Sequence, residues 1–426
     1  MDINNEQYQN ILKILRHELV CAMGCTEPIA IAYCAAVARA ALGAAPEAVV
    51  VRTSGNIIKN AKSVTVPNTG GRRGIEAAAA IGIVAGDETK ELQVIAGVDA
   101  DGIARLDKFL SSVPVKVEFA ETPFLLDIEV EVSANGHSAC ARITNEHTHI
   151  AYVKKDGATV FGSEPSVDEA SEGEQLDYFS LSIHSIYDFA TTCRIEDIRD
   201  LLDRQIEMNC AIAKEGIKGT YGACVGRTCY DTYGDNVRCR AKAYAAAGSD
   251  ARMNGCELPV VINSGSGNQG ITVTLPVVEY AKELGVSREK LYRALLISNL
   301  IAIHEKSGIG RLSAYCGAVS AGAGAGAAVT YLMGGDENCI GETVINALAV
   351  TSGIVCDGAK SSCAAKIATA VEAGLLGGDM ARNGRRFLDN EGLVKESAED
   401  SIRNFARLGR DGMRETDKEI IRMMIE

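Results

Sequence analysis

The sequence predicts an α+β protein in which a Gly/Ala-rich, all-helical domain is joined to a smaller α/β domain with a mixed sheet. Three observations carry that expectation. Between residues 48 and 153 the chain alternates or runs in β-branched residues, as in VVVRTSG, VKVEFAE and LDIEVEVSA. From Ile183 onward, apolar residues recur at helical spacing instead. At 426 residues the chain exceeds the usual domain size of about 100–200 residues, so two cores are expected.

The elements follow in order. Glu6 to Ala41 has helical periodicity, interrupted around Met23–Gly24 and restarted by Thr26-Glu27-Pro28; proline suits a helix's first turn. Residues 1–45 are therefore expected to be N-terminal helices packing with the helical domain. Residues 46–194 form the α/β domain, with strands at VVVRTSG, LQVIAGV, VKVEFAE, LDIEVEVSA, ACARITN and HIAYVKK. Gly74 to Gly86 reads as a helix among them, and Asn135-Gly136 marks a hairpin turn. Asp156 to Gln175 is acidic and rich in Gly, Ser and Pro, as a solvated loop or linker is.

Residues 195–426 make the helical domain, including AGAGAGAA at Ala321 to Ala328. Glycine weakens a helix interior by about 0.8–1 kcal/mol relative to alanine, so its density there implies close helix contacts or breaks beside a site. The uncharged run Leu312 to Gly335 reaches membrane-spanning length, but Gly, Ala, Ser, Cys316 and two tyrosines mark it as tightly packed buried helix.

A formal charge of −13 disfavours nucleic acid and anionic membrane as partners, which would be repelled at long range. Met1 to Gln9 has neither a basic nor an apolar signal region, so a cytoplasmic location is expected. Fourteen cysteines in a cytosolic chain are not a disulfide framework. Metal binding, catalysis or plain packing as small buried residues remain open for each.

Cys316, Cys356 and Cys363 stand in SAYCGAVS, GIVCDGAK and SSCAAK, each among small residues that would leave room for a bulky thiolate-bound group. The six residues between Cys356 and Cys363 match neither a zinc-ribbon nor a ferredoxin spacing. Cys25 lies in Gly-Cys-Thr-Glu-Pro just before a helix start, where unpaired N–H groups favour a thiolate. A buried turn cysteine is the alternative. Two Gly/Ser/Asn loops, one with Ser54 and Asn56 and one with Asn263, Ser264, Ser266 and Asn268, can present donors to a substrate carboxylate or act only as turns. His304, in HEKSG, offers a titratable group.

GCTEP, SGSGNQG, HEKSGIGRLSAYCG and CDGAKSSC, taken together and in this order, give a chain that resembles the L-cysteine desulfidase family, relatives of the iron–sulfur L-serine dehydratases. The resemblance runs nearly full length. It implies a [4Fe–4S] cluster with three cysteine ligands, carried to Cys316, Cys356 and Cys363, one open iron, and Cys25 as the catalytic cysteine. The activity implied is conversion of L-cysteine to pyruvate, ammonia and hydrogen sulfide. The expected partners are a small amino-acid substrate and further copies of the chain in a homo-oligomer. L-Serine dehydration on the same cluster is the nearest alternative reading. A non-catalytic small-molecule-binding protein with structural metal is the alternative from another class.

Overall fold

The computed structural model describes residues 1–2, 5–166 and 176–425. The strands, in chain order, are β1 (Cys21–Met23), β2 (Ala48–Thr53), β3 (Val115–Phe119), β4 (Asp127–Ala134), β5 (His137–Thr144), β6 (Ile150–Lys155), β7 (Ala158–Gly162) and β8 (Pro259–Val261). Six form one mixed sheet in the order β3-β2-β4-β5-β6-β7, with β2–β3 parallel and the other pairs antiparallel. The β4–β5 hairpin turns at Asn135 and Gly136, both at positive φ (53° and 78°), as a tight two-residue hairpin requires. Helices α1 (Glu6–Glu18), α2 (Thr26–Leu42), α3 (Gly55–Ala61), α4 (Gly74–Ala85) and α5 (Ala100–Ser112) precede or interleave with this sheet.

The second half is helical, as expected: α6 (Ile183–Thr192), α7 (Arg199–Gly216), α8 (Val225–Tyr233), α9 (Val237–Met253), α10 (Gly267–Glu283), α11 (Arg288–Ile309), α12 (Gly317–Leu332), α13 (Glu337–Thr351), α14 (Cys363–Arg382), α15 (Ala398–Arg407) and α16 (Arg414–Ile425). The glycine-rich run is α12, buried along nearly its whole length. A Cβ on Gly326 would lie 2.3 Å from the Gly374 carbonyl oxygen, and one on Gly374 would lie 2.1 Å from that of Gly322. So α12 and α14 touch backbone to backbone, and the glycines are there because no side chain fits between them. Among the described residues no helix is long and apolar enough to cross a membrane.

Three expectations are corrected. The N-terminal 45 residues are divided between the halves. Strand β1 pairs with β8, and α1 docks on the helical side through Tyr8, whose hydroxyl donates to Asp197 at 2.6 Å. Helix α2, buried on nearly every face, packs instead across the sheet, where Cys34 Sγ donates to the Ala141 carbonyl at 3.2 Å. Leu92–Val98 is not a strand: it begins inside a 3₁₀ turn (Glu88–Gln93) and continues into further turns, with Leu92, Val94 and Ile95 buried. A short apolar run reports burial without specifying extended pairing. Conversely, Ala158–Gly162 in the expected linker is the exposed edge strand β7, while residues 167–175 of that linker lie outside the described residues.

Candidate active site

Four helices begin at one cavity of about 100 Å³. Cys25 is the residue before α2, Ser266 the residue before α10, Cys316 the residue before α12, and Cys363 opens α14. Unpaired N–H groups and the positive dipole end of each helix face this region, which favours thiolates and other anions there. Gly24, at φ 63°, turns the chain into α2; a Cβ on it would strike the Pro67 ring at 2.7 Å.

The segments carrying Cys316 and Cys356 are clamped together. Cys316 N–H donates to the Ile354 carbonyl at 3.1 Å and Cys356 N–H to the Ala314 carbonyl at 2.6 Å, about an antiparallel bridge between Tyr315 and Val355. The loop from Cys356 to Cys363 passes through Gly358, at φ 93°, where a Cβ would lie 2.1 Å from the Lys59 carbonyl oxygen. Lys59 is itself buried and ion-paired with Asp417 of α16 at 2.5 Å. Burial pushes the Cys316 thiol up to about 12, with the neighbouring Cys356 and Cys363 sulfurs adding to the shift. Burial likewise raises Cys363.

Opposite these thiols, Cys25 Sγ donates to Glu27 Oε2 at 3.0 Å. Burial and then the Glu27 charge hold the thiol well above its ordinary range. The thiolate favoured by the helix start is therefore overruled by desolvation and a carboxylate neighbour. Burial alone would raise Glu27, but the His147 imidazole and the Cys25 hydrogen bond hold it at about 2. His147 Nε2 stands 3.8 Å from Glu27 Oε1, and Asn60 Nδ2 donates to that oxygen at 2.9 Å. Burial lowers Lys306, another cavity residue, to about 8.

Arg252 also lines the cavity and is only 2% exposed. Its Nη1 donates to Asn268 Oδ1 at 3.1 Å, whereas its Nε and Nη2 are buried without a hydrogen-bond partner. Asn60 Oδ1 and Gln269 Oε1, on the same cavity, are likewise unpartnered.

The structure thus brings Cys25, Cys316, Cys356, Cys363, Ser266 and Asn268 to one cavity. It commits the remaining expected residues elsewhere. Ser54 Oγ donates to the Leu125 carbonyl and Asn56 Nδ2 to Asp417. Asn263 Nδ2 donates to Asn299, and Ser264 Oγ to Asn263. His304 pairs with Glu399 at 2.8 Å. These are corrections: Asn263 and Ser264 satisfy the turn they belong to, whereas Ser54, Asn56 and His304 are held by distant parts of the fold. Sequence reasoning missed Asn60, His147, Arg252, Gln269 and Lys306 as site residues. Glu27 in GCTEP, Gln269 in SGSGNQG and Lys306 in HEKSG lie inside segments the sequence marks out, whereas Asn60, His147 and Arg252 carry no such signal.

The three thiols suit a soft, polynuclear group. They come from two segments, the one before α12 and the loop between α13 and α14, and share one cavity; Cys316 and Cys363 sit at helix starts that offset the charge of bound thiolates. Among the described residues no three His, Cys, Asp or Glu side chains are grouped to hold a single metal ion.

Comparison with known proteins places the chain in a family. The sequence profile described as serine dehydratase alpha chain matches residues 89–422. A UPF0597 protein of Desulfitobacterium hafniense is 53% identical over 425 residues, covering 100% of this chain and 98% of the relative. One from Lachnoclostridium phytofermentans is 52% identical over 418 residues, covering 98% and 100%. One from Treponema denticola is 42% identical over 431 residues, covering both chains in full.

Proposed function

Since the chain belongs to the serine dehydratase alpha chain family, iron–sulfur lyases of the dehydratase type, we propose that it eliminates sulfide from L-cysteine, giving pyruvate and ammonia. The observation that carries this reading is the convergence of Cys25, Cys316, Cys356 and Cys363 on one cavity at which four helices start. Cys316, Cys356 and Cys363 are the residues that would hold a [4Fe–4S] cluster. When bound, such a cluster with three protein ligands supplies an open, thiophilic iron as a Lewis acid for the leaving group.

The chain's own residues handle protons and exclude water. The Cys25 thiol, buried and hydrogen-bonded to Glu27, keeps its proton, so it acts as a proton carrier at Sγ and not as a resting nucleophile. Elimination leaves 2-aminoacrylate, which needs a proton at Cβ to become the imine that hydrolyses to pyruvate and ammonia. Cys25 Sγ is the donor for that step, and Glu27 with Asn60 and His147 fixes its position. Lys306 Nζ is the cavity amine that accepts the Cα proton.

The family match also favours a second reading, L-serine dehydration in the same cavity. One anaerobic preparation separates the two. We expect about four irons and matching acid-labile sulfide per chain, with sulfide and pyruvate released equally from L-cysteine. Faster pyruvate release from L-serine would replace the substrate. Zinc without iron, and no turnover of either amino acid, would overturn the lyase.

A further inference from the structure

The lyase reading leaves unassigned what grips the substrate, and the unpartnered atoms of the cavity supply an answer. Arg252 is buried inside the helical half with its Nη1 occupied by Asn268. Its Nε and Nη2, the two donors along one edge of the guanidinium, have no partner. Leaving charged donors desolvated and unpaired is strongly unfavourable, and buried arginines are ordinarily fully hydrogen-bonded. The side-on Nε–Nη2 edge matches the two oxygens of a carboxylate.

The position is built and not incidental. A Cβ on Gly267 would lie 2.2 Å from Arg252 Nε, so the first residue of α10 must be glycine for the guanidinium to lie there. On the same cavity, Asn60 donates its amide nitrogen to Glu27, which leaves its Oδ1 turned away and unpartnered. A Cβ on Gly317 would lie 2.6 Å from the Gln269 carboxamide, whose oxygen is also unpartnered. Two free donors on a fixed cation and free carbonyl acceptors, in one small cavity, are the complement of an anionic and a cationic group close together.

We propose that this cavity recognises an α-amino acid as its zwitterion, with the Arg252 Nε–Nη2 edge holding the α-carboxylate and Asn60 Oδ1 and the Gln269 carboxamide taking the α-ammonium. This deepens the lyase reading and rests on it for the substrate class. It makes Arg252 the residue that restricts the site to free amino acids, by refusing amines and thiols that lack the carboxylate.

The test is anaerobic titration calorimetry on the full-length, iron-quantified protein with L-cysteine, cysteamine and 3-mercaptopropionate. Cysteamine lacks the carboxylate and 3-mercaptopropionate lacks the ammonium, while both keep the thiol. L-Cysteine is expected to bind about 10- to 100-fold more tightly than cysteamine, the value of a charge-assisted pair in a desolvated site. In Arg252→Gln, L-cysteine should fall to the cysteamine level with cysteamine unchanged, and Arg252→Lys should recover part of the difference. Equal binding of L-cysteine and cysteamine by the wild-type protein overturns the assignment and needs no variant to fold. So does an Arg252→Gln protein that binds L-cysteine normally, or one that loses both ligands alike. Carboxylate-dependent binding without turnover would retain the zwitterion site and remove the lyase, so the two ideas fail separately.

Discussion

Cys25 and Glu27 are joined within the first turn of α2, Sγ to Oε2 at 3.0 Å, with both residues below 10% exposure. The carboxylate keeps the proton on sulfur, and Asn60 and His147 on its other oxygen keep the carboxylate in place. That arrangement describes a proton store on the cavity shared with Cys316, Cys356 and Cys363, the cluster ligands we propose.

Cys25→Ala should therefore lower kcat about 10²–10⁴-fold, the usual weight of a positioned proton donor, while iron and acid-labile sulfide per chain stay at the wild-type level. Cys316→Ser, by contrast, should lose iron and activity together. Iron quantification alongside kcat separates the two roles. Full activity in Cys25→Ala would remove the assignment.

Gly358→Ala should be among the most damaging single-methyl changes in the chain. The position is at φ 93°, and the added Cβ would meet the Lys59 carbonyl at 2.1 Å. Because neither backbone can give way freely, the loop carrying Cys356 must shift. The expected result is a drop in midpoint stability of about 1–3 kcal/mol with lower iron uptake on reconstitution. Wild-type iron content would show that the loop tolerates the shift.

The fold was largely legible because its signals are local. Period-two runs mark β2 to β6, Asn135-Gly136 marks the hairpin, and the break at Gly24 separates α1 and β1 from α2. The cysteines were visible because thiols among small residues are chemically conspicuous. Arg252, Asn60 and His147 were not, since each sits in an ordinary stretch of helix or turn and acquires meaning only where separate segments meet. The same limit explains the thiol of Cys25: helix position is readable in sequence, whereas full burial beside Glu27 is a tertiary fact and outweighs it.

Asp250 gives a pH prediction. It is buried on α9, accepts the Gly226 N–H at 2.9 Å, and its other oxygen has no partner. Burial pushes its carboxyl up to about 6. A raised carboxyl means that the native protein holds the proton more tightly than the unfolded chain does. Its favourable contribution is complete below the unfolded value near 3.9 and is lost as pH rises through about 6. Asp250→Asn keeps an acceptor for Gly226 without the buried charge. It should stabilise the protein at pH 7.5 by at most about 3 kcal/mol, with the advantage shrinking towards pH 4.5. Equal effects at both pH values in urea melts would contradict the ionised, desolvated carboxylate.

The last prediction concerns the ion pair that holds α16 on α3, whose Lys59 carbonyl meets Gly358 of the cysteine loop. Lys59, on α3, pairs with Asp417 at 2.5 Å, and Asn56 of the same helix donates to the second carboxylate oxygen at 2.9 Å. Removing one partner of a buried pair strands the other charge, which costs about 3–5 kcal/mol, whereas replacing both by apolar groups of similar size can be nearly neutral. Asp417→Ala should therefore destabilise the protein strongly and raise amide exchange along α16. The double replacement Lys59→Met with Asp417→Leu should recover most of that loss. A double variant as unstable as Asp417→Ala would mean that the geometry of the pair, beyond the stranded charge, holds α16 against α3.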